Sequence, residues 1–229
     1  WLAGYVPGLA LFRALQCVPA LATRHSDYPP GFERDIPGRK WQQVAAFTAC
    51  LDDLEGGVLE WCAGKAHLGR AVCQRFEVPV TALEHNPQLC ASGNAMSRRL
   101  QLDVRLEQCD VLSDDPAAIA GQARHAVALH ACGDLHRRLI ELVAAGRMHS
   151  LHLSPCCYHL SASARYSPFS RAGKTCGLTL SRDDCRLAVQ ETVTSSAAAA
   201  RRKKKKSAWR LGFDALQRQL RGADEYLPV

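Results

Sequence analysis

Hydrophobic positions along the first two thirds of the chain alternate between two periods. From Trp41, the positions Val44, Ala45, Thr48, Leu51 and Leu54 return every three or four residues, which predicts an amphipathic helix ended by Gly56 and Gly57. Val58 to Trp61 follows as an apolar run of strand length. Leu68, Ala71, Val72 and Phe76 then repeat with helical spacing, and Pro79 to Leu83 reads as a second strand bounded by a proline. The alternation continues with a helix carrying Leu89, Met96 and Leu100, strands at Val104 to Leu106 and Ala126 to Leu129, a helix carrying Leu135, Leu139, Leu142 and Val143, and a strand from His149 to Leu153. Parallel neighbours need crossover connections, so this order predicts a parallel sheet covered by helices on both faces.

Beyond Pro155 the periodicity weakens. Ser161 to Gly173 is expected to be a loop, Arg182 to Thr194 a helix, and Glu225 to Val229 a terminal strand. Trp209, Phe213, Leu216 and Leu220 mark one face of a further helix. The segment between, Thr194 to Ser207, is either an exposed linker or the start of that helix, and we take it as a basic loop at 194–207.

Composition changes this picture little. With 229 residues, 47% hydrophobic and 22% charged, the chain has ordinary globular values and room for one full-sized α/β domain. Its apolar opening is interrupted by Pro7, Gly8, Arg13 and Pro19, so no run reaches the roughly 20 residues of a membrane-spanning helix. The eleven cysteines are scattered through helices and strands rather than spaced as a disulfide framework, which favours a reducing, cytoplasmic setting. Because the first residue is Trp1, residues 1–40 are expected to be an N-terminal extension within a longer parent chain, with the main domain over 41–229.

Charge adds one feature. The formal +7 depends on Arg201, Arg202, Lys203, Lys204, Lys205 and Lys206. Such a run either attracts the phosphate backbone of a nucleic acid or is a solvated surface segment, and composition leaves both open.

In an open parallel sheet the ligand lies beyond the carboxyl ends of the strands. After the first strand comes Glu60-Trp61-Cys62-Ala63-Gly64-Lys65-Ala66-His67-Leu68-Gly69, an acidic residue followed by a small-residue turn. Glu84 ends the second strand 24 positions after Glu60, near the spacing at which a carboxylate accepts from a ribose hydroxyl pair. Asp110 and Val111 follow the third strand, where a carboxylate can accept from an exocyclic amine beside apolar neighbours. His130 follows the fourth, in His130-Ala131-Cys132-Gly133-Asp134-Leu135.

These residues resemble the class I S-adenosylmethionine-dependent methyltransferases. Within that class, Ala63 to Leu68, His130 to Leu135 and the block Ser154-Pro155-Cys156-Cys157-Tyr158-His159 resemble a narrower group, the methyltransferase-like 25 proteins and the eukaryotic tRNA acceptor-stem 2′-O-methyltransferases. The resemblance covers Trp41 to His159 and, more weakly, Trp209 to Val229. It implies a doubly wound, mostly parallel seven-stranded sheet and S-adenosylmethionine as cofactor, held by Glu60, Cys62, Gly64, Lys65, Glu84, Asp110, Val111 and His130. It also implies methyl transfer to RNA of tRNA type, with the basic run on the RNA. The alternatives are a protein or small-molecule acceptor, or a binding module that keeps the fold without catalysis. Cys62 and Ala66 depart from the class, which usually has glycine at both places.

His130 and His159 are candidate general bases, because histidine titrates near working pH. Cys156 is kept as a pocket-lining residue in the catalytic region. Cys156, Cys157 and His159 offer zinc ligands together with Cys132, but adjacent cysteines match ordinary structural zinc spacings poorly, so no metal is expected.

Overall fold

The computed structural model describes residue 11 and residues 17–24, 26–121, 123–187 and 197–222. The chain divides into two compact units, Trp1–Ala162 and Ser163–Val229.

The first unit runs α1 (Gly38–Ala49), β1 (Gly57–Trp61), α2 (His67–Phe76), β2 (Val80–Glu84), α3 (Pro87–Arg99), β3 (Val104–Gln108), α4 (Pro116–Ala120), β4 (Ala123–Cys132), α5 (Asp134–Ala144) and β5 (Ser150–Cys156). All five strands are parallel, in the order β3-β2-β1-β4-β5. The chain winds outward from β1 to β3 and then crosses back to place β4 beside β1, so the order reverses between β1 and β4.

Strand alternation sorts the core into two layers. Val58, Val80, Ala82, Val104, Leu106 and Val127 face one side with Val44 of α1, Leu68 and Val72 of α2 and Cys90 of α3. Leu59, Trp61, Leu83, Ala126 and Ala128 face the other with Ala120 of α4 and Leu139 and Leu142 of α5. Because β1 is buried on both faces it reads as a nearly unbroken apolar run, which is why its position is legible. Trp61 Nε1 donates to Leu135 O at 2.9 Å and ties the end of β1 to the start of α5.

The five strands lie where the hydrophobic pattern predicts them, and their ends differ for physical reasons. β4 begins earlier than expected because His125 is satisfied within the sheet: its ring meets Ser150 Oγ at 2.8 Å and Glu55 O at 3.0 Å. β5 continues through Pro155, which is tolerated because β5 is an edge strand. α1 stops at Ala49 rather than at Gly56, before the weak helix formers Asp52 and Asp53. α1 also begins before residue 41, and the Tyr28 ring stacks on Phe32 at 5.2 Å and meets Trp41 edge-on at 4.9 Å. Residues in the latter part of the expected N-terminal extension therefore belong to the packed unit. The described residues form a five-stranded sheet; the terminal strand expected at Glu225 to Val229 lies outside them.

In the second unit, α6 (Arg171–Thr175) falls partly in the stretch expected as a loop. α7 (Arg182–Leu187) is the described part of the helix expected to Thr194; the rest lies outside the described residues. α8 (Ala197–Arg221) contains the whole basic run. The described part of the segment taken as a loop at 194–207 is thus helical. Alanine, arginine and lysine are strong helix formers, and their local preference outweighs the repulsion within the run. Trp209, Phe213, Leu216 and Leu220 are exposed on α8. No helix among the described residues is long and apolar enough to cross a membrane.

Candidate functional site

The reversal of strand order between β1 and β4 opens a crevice at their carboxyl ends, and the acidic residue of β1 sits at its floor. Glu60 is 4% exposed, and its Oε2 accepts from Gly69 N at 2.9 Å. A Cβ on Gly69 would stand 2.4 Å from that oxygen, so glycine is needed for the approach. Burial pushes the Glu60 carboxyl up to about 8, against the opposing pull of the Gly69 N–H and the Arg70 charge.

The turn from Cys62 to Ala66 is left-handed at three positions: φ is 55° at Cys62, 60° at Gly64 and 54° at Ala66. The two departures from the class pattern therefore occupy backbone that glycine adopts most easily. A Cβ on Gly64 would meet only the Lys40 ammonium, at 4.0 Å, so open space lies beside this residue, where a ligand can approach the backbone. Burial raises the Cys62 thiol to about 12, reinforced by Glu84, Cys132, Glu60 and Asp110, and it stays neutral. Lys65 is exposed, and its carbonyl accepts from Arg70 Nη1 at 2.5 Å. Arg70 Nη2 donates to His67 Nδ1 at 2.7 Å, which requires that nitrogen to be unprotonated. Burial accordingly lowers His67 to about 4, with Arg70, Lys40 and Lys65 adding to the effect.

Glu84 stands on the next strand at the same end of the sheet. Its Oε2 accepts from Gly64 N at 2.9 Å and its Oε1 from Asn86 N at 3.0 Å, so the carboxylate spans the turns after β1 and β2. His85 Nδ1 lies 2.9 Å from Oε1. Oε2, with Gly64 N as its hydrogen-bond donor, keeps a further lone pair for a hydroxyl donor. Asp110 is exposed beyond β3, where its Oδ1 accepts from Leu112 N at 3.1 Å, while Val111 is buried. Glu60, Glu84 and Asp110 thus line up along the carboxyl edge of three adjacent strands.

His130 closes the crevice from β4, in left-handed backbone with φ 66°. Its Nε2–H donates to Gln43 Oε1 on α1 at 3.0 Å, which leaves Nδ1 as the acceptor nitrogen. Burial, with help from Lys40 and Arg39, lowers its pKa and keeps the ring neutral. His130 and Leu129 form a wall shared by two cavities. The smaller, about 160 Å³, is lined by Lys40, Glu60, Cys62, Gly64 and His67 among others. The larger, about 510 Å³, is mostly apolar, with Phe47, Leu51 and Leu153 in its lining and Gln43, His152 and Ser154 as polar groups.

Cys156 and His159 are not in the lining of either cavity. Cys156 pairs in register with Cys132 across β4 and β5, Sγ to Sγ at 2.9 Å, and Cys132 Sγ donates to His130 O at 3.2 Å. The loop beyond β5 is pinned to the start of α5. Asp134 N donates to Leu160 O at 3.2 Å, and its carboxylate accepts from Ser161 Oγ at 2.9 Å and Ala162 N at 2.7 Å. Gly133 makes this possible, because a Cβ there would lie 1.5 Å from Leu160 O. His159 Nδ1 is buried without a hydrogen-bond partner among the described residues.

Sequence reasoning missed Lys40, Gln43, His67, Arg70 and Gly69. Lys40 and Gln43 lie on a helix preceding β1, and only the fold brings that helix over the crevice. His67 and Arg70 carried a signal: polar residues three apart at the start of an otherwise apolar helix must pair if buried.

A family model described as a methyltransferase domain matches residues 39–164, 126 of the 229 residues. Solved structures similar to the chain include geranyl diphosphate methyltransferase in complex with SAM, at 19% identity over 53% of this chain and 54% of that one, with a TM-score of 0.40. Coclaurine N-methyltransferase bound to N-methylheliamine and SAH gives 16%, 58%, 45% and 0.37. Precorrin-6y C5,15-methyltransferase from Geobacter metallireducens GS-15 gives 16%, 39%, 47% and 0.34. The chain spans about half the length of these structures. No curated protein sequence matches it. The matched segment contains all five strands and every crevice residue described above, and on that match the chain belongs to the methyltransferase-domain family.

Proposed function

We propose that the protein transfers the methyl group of S-adenosylmethionine to an RNA acceptor of tRNA type. The observation that carries the cofactor reading is the row of Glu60, Glu84 and Asp110 along one edge of the sheet, beside open space at Gly64. In this reading Glu84 accepts from ribose hydroxyls, Asp110 and Val111 take adenine, and the turn from Cys62 to Lys65 lies against the amino-acid part with Glu60 beneath it.

The cofactor supplies an electrophilic methyl on a sulfonium, left as a neutral thioether once the methyl has moved to the acceptor. The chain's residues need only align the nucleophile and take its proton. Gln43 holds the Nε2–H of His130, so Nδ1 is the free base, and the lowered pKa keeps it unprotonated at neutral pH.

The RNA reading is supported by the six consecutive basic residues on α8. Labelled methyl from S-adenosylmethionine should appear in tRNA incubated with the protein. Replacing all six residues with glutamine should weaken RNA binding and flatten its salt dependence by about 0.7 to 0.9 in log–log slope for each phosphate no longer neutralised, with cofactor affinity unchanged. The mostly apolar cavity of about 510 Å³ beside His130 favours a second reading, a small-molecule acceptor. Unaltered RNA binding in the glutamine variant, with methyl transfer to small molecules only, would decide for that reading.

A further inference from the structure

We infer that Cys132, Cys156 and Cys157 form a three-thiolate site for one thiophilic divalent cation, zinc by ordinary preference. The three sulfur atoms lie within 4.8 Å of one another and are partly exposed, so an ion can reach them. Two backbone features gather them.

The first is a bulge in β4. Leu129 pairs with Ser154 and Cys132 with Cys156, so three steps on β4 match two on β5. The extra residue swings Cys132 into register with Cys156. The second is the backbone of Cys157. Successive residues of a strand point to opposite faces, so Cys156 and Cys157 would diverge if the strand continued. Instead Cys157 turns left-handed, with φ 48°, and both sulfurs converge. A non-glycine residue held in that region is strained, and such strain persists where the surroundings enforce it.

The geometry suits zinc. Zn–S bonds of about 2.3 Å in a tetrahedron place two sulfurs about 3.8 Å apart. Cys132 and Cys156, at 2.9 Å, need to open by about 0.9 Å, and no pair exceeds 4.8 Å. Three protein ligands leave a fourth position for water or for a ligand. The unfavourable spacing of adjacent cysteines applies to ligands drawn from one loop. Here they come from the bulged end of β4, the end of β5 and the left-handed residue just beyond it, which overrides the expectation of no metal.

Binding ionises the ligands: one cation replaces the protons of three thiols, giving a metal–tris-thiolate of net charge −1 and releasing three protons. Because Cys132 ends β4 two residues after His130 and is in register with Cys156, the occupied site ties the end of β4 to β5 beside the crevice, while the Cys132 thiol gives up its bond to His130 O on ionising. The site does not depend on the methyl-transfer reading.

Titration of the reduced, metal-free full chain with Co²⁺ tests it. One equivalent should bind with sulfur-to-cobalt charge-transfer absorption, release about three protons, and be displaced by Zn²⁺. Cys156→Ser and Cys157→Ser should each lower affinity on the order of 100-fold, with the circular dichroism of the folded chain retained, whereas Cys176→Ser on the second unit should leave it unchanged. Overturning results are a folded, reduced chain that shows no charge-transfer band, affinity equal in all three variants, or Cys132 and Cys156 recovered as a disulfide in chain purified under reducing conditions.

Discussion

Cys62 occupies backbone that costs an ordinary side chain on the order of 1 kcal/mol or more, and its thiol is partly buried against the second core layer. The two facts give a discriminating pair of variants. Cys62→Ala keeps the strain and removes the packing of the thiol. Cys62→Gly removes slightly more packing but relieves the strain. We expect the glycine variant to be the more stable of the two by about 1 kcal/mol in urea unfolding, the reverse of the usual order of alanine and glycine. An alanine variant more stable than the glycine one would contradict a left-handed turn at this residue. Glu84 shows the other side of residue-scale reasoning. Its position at a strand end was legible in the sequence because β1 and β2 are apolar runs of clear length. That its oxygens also receive the N–H groups of Gly64 and Asn86 was not, because those bonds depend on how two turns meet.

At the scale of elements, the β1–α2 unit stores two opposed titrations. Glu60 has its pKa raised from 4.5 to about 8, so the folded chain holds a proton that the unfolded chain has lost between those values. Its contribution makes stability fall as pH rises from 4.5 through 8. His67 has its pKa lowered from 6.5 to about 4, so the unfolded chain takes up a proton first, and stability falls as pH drops from 6.5 through 4. Glu60→Gln, which can still accept from Gly69 N, should flatten the alkaline limb by up to about 1.4 kcal/mol per pH unit and leave the acid limb in place. Superimposable pH–stability curves for the two proteins would show that Glu60 is not held protonated in the fold.

The same scale explains what periodicity could and could not show. The central strands β1, β2 and β4 announced themselves by their buried runs, and α2 and α5 by their apolar stripes. The helical state of residues 201–206 did not, because a run of like charges resembles a solvated segment even when each residue favours helix. The convergence of Cys132 with Cys156 and Cys157 needed two facts absent from any local pattern: that β4 and β5 are neighbours, and that β4 carries a bulge.

For the whole molecule, the order β3-β2-β1-β4-β5 places one crevice at the point where the winding reverses, and the methyltransferase-domain match spans that crevice entirely. The basic helix belongs to the second unit and supplies most of the net charge of +7, so the proposed RNA contact and the proposed cofactor contact can be tested separately. The central claim is that Glu84 and Asp110, at the ends of adjacent strands, hold the nucleoside of S-adenosylmethionine. Calorimetric titration of the purified chain with S-adenosylmethionine, and separately with S-adenosylhomocysteine, tests it most directly. The account predicts saturable one-to-one binding of both, weakened about tenfold or more by Glu84→Ala and by Asp110→Ala, since each removes a hydrogen bond to a charged group. Absence of binding heat with either ligand, from protein shown to be folded, or affinity unchanged in both variants, would contradict it.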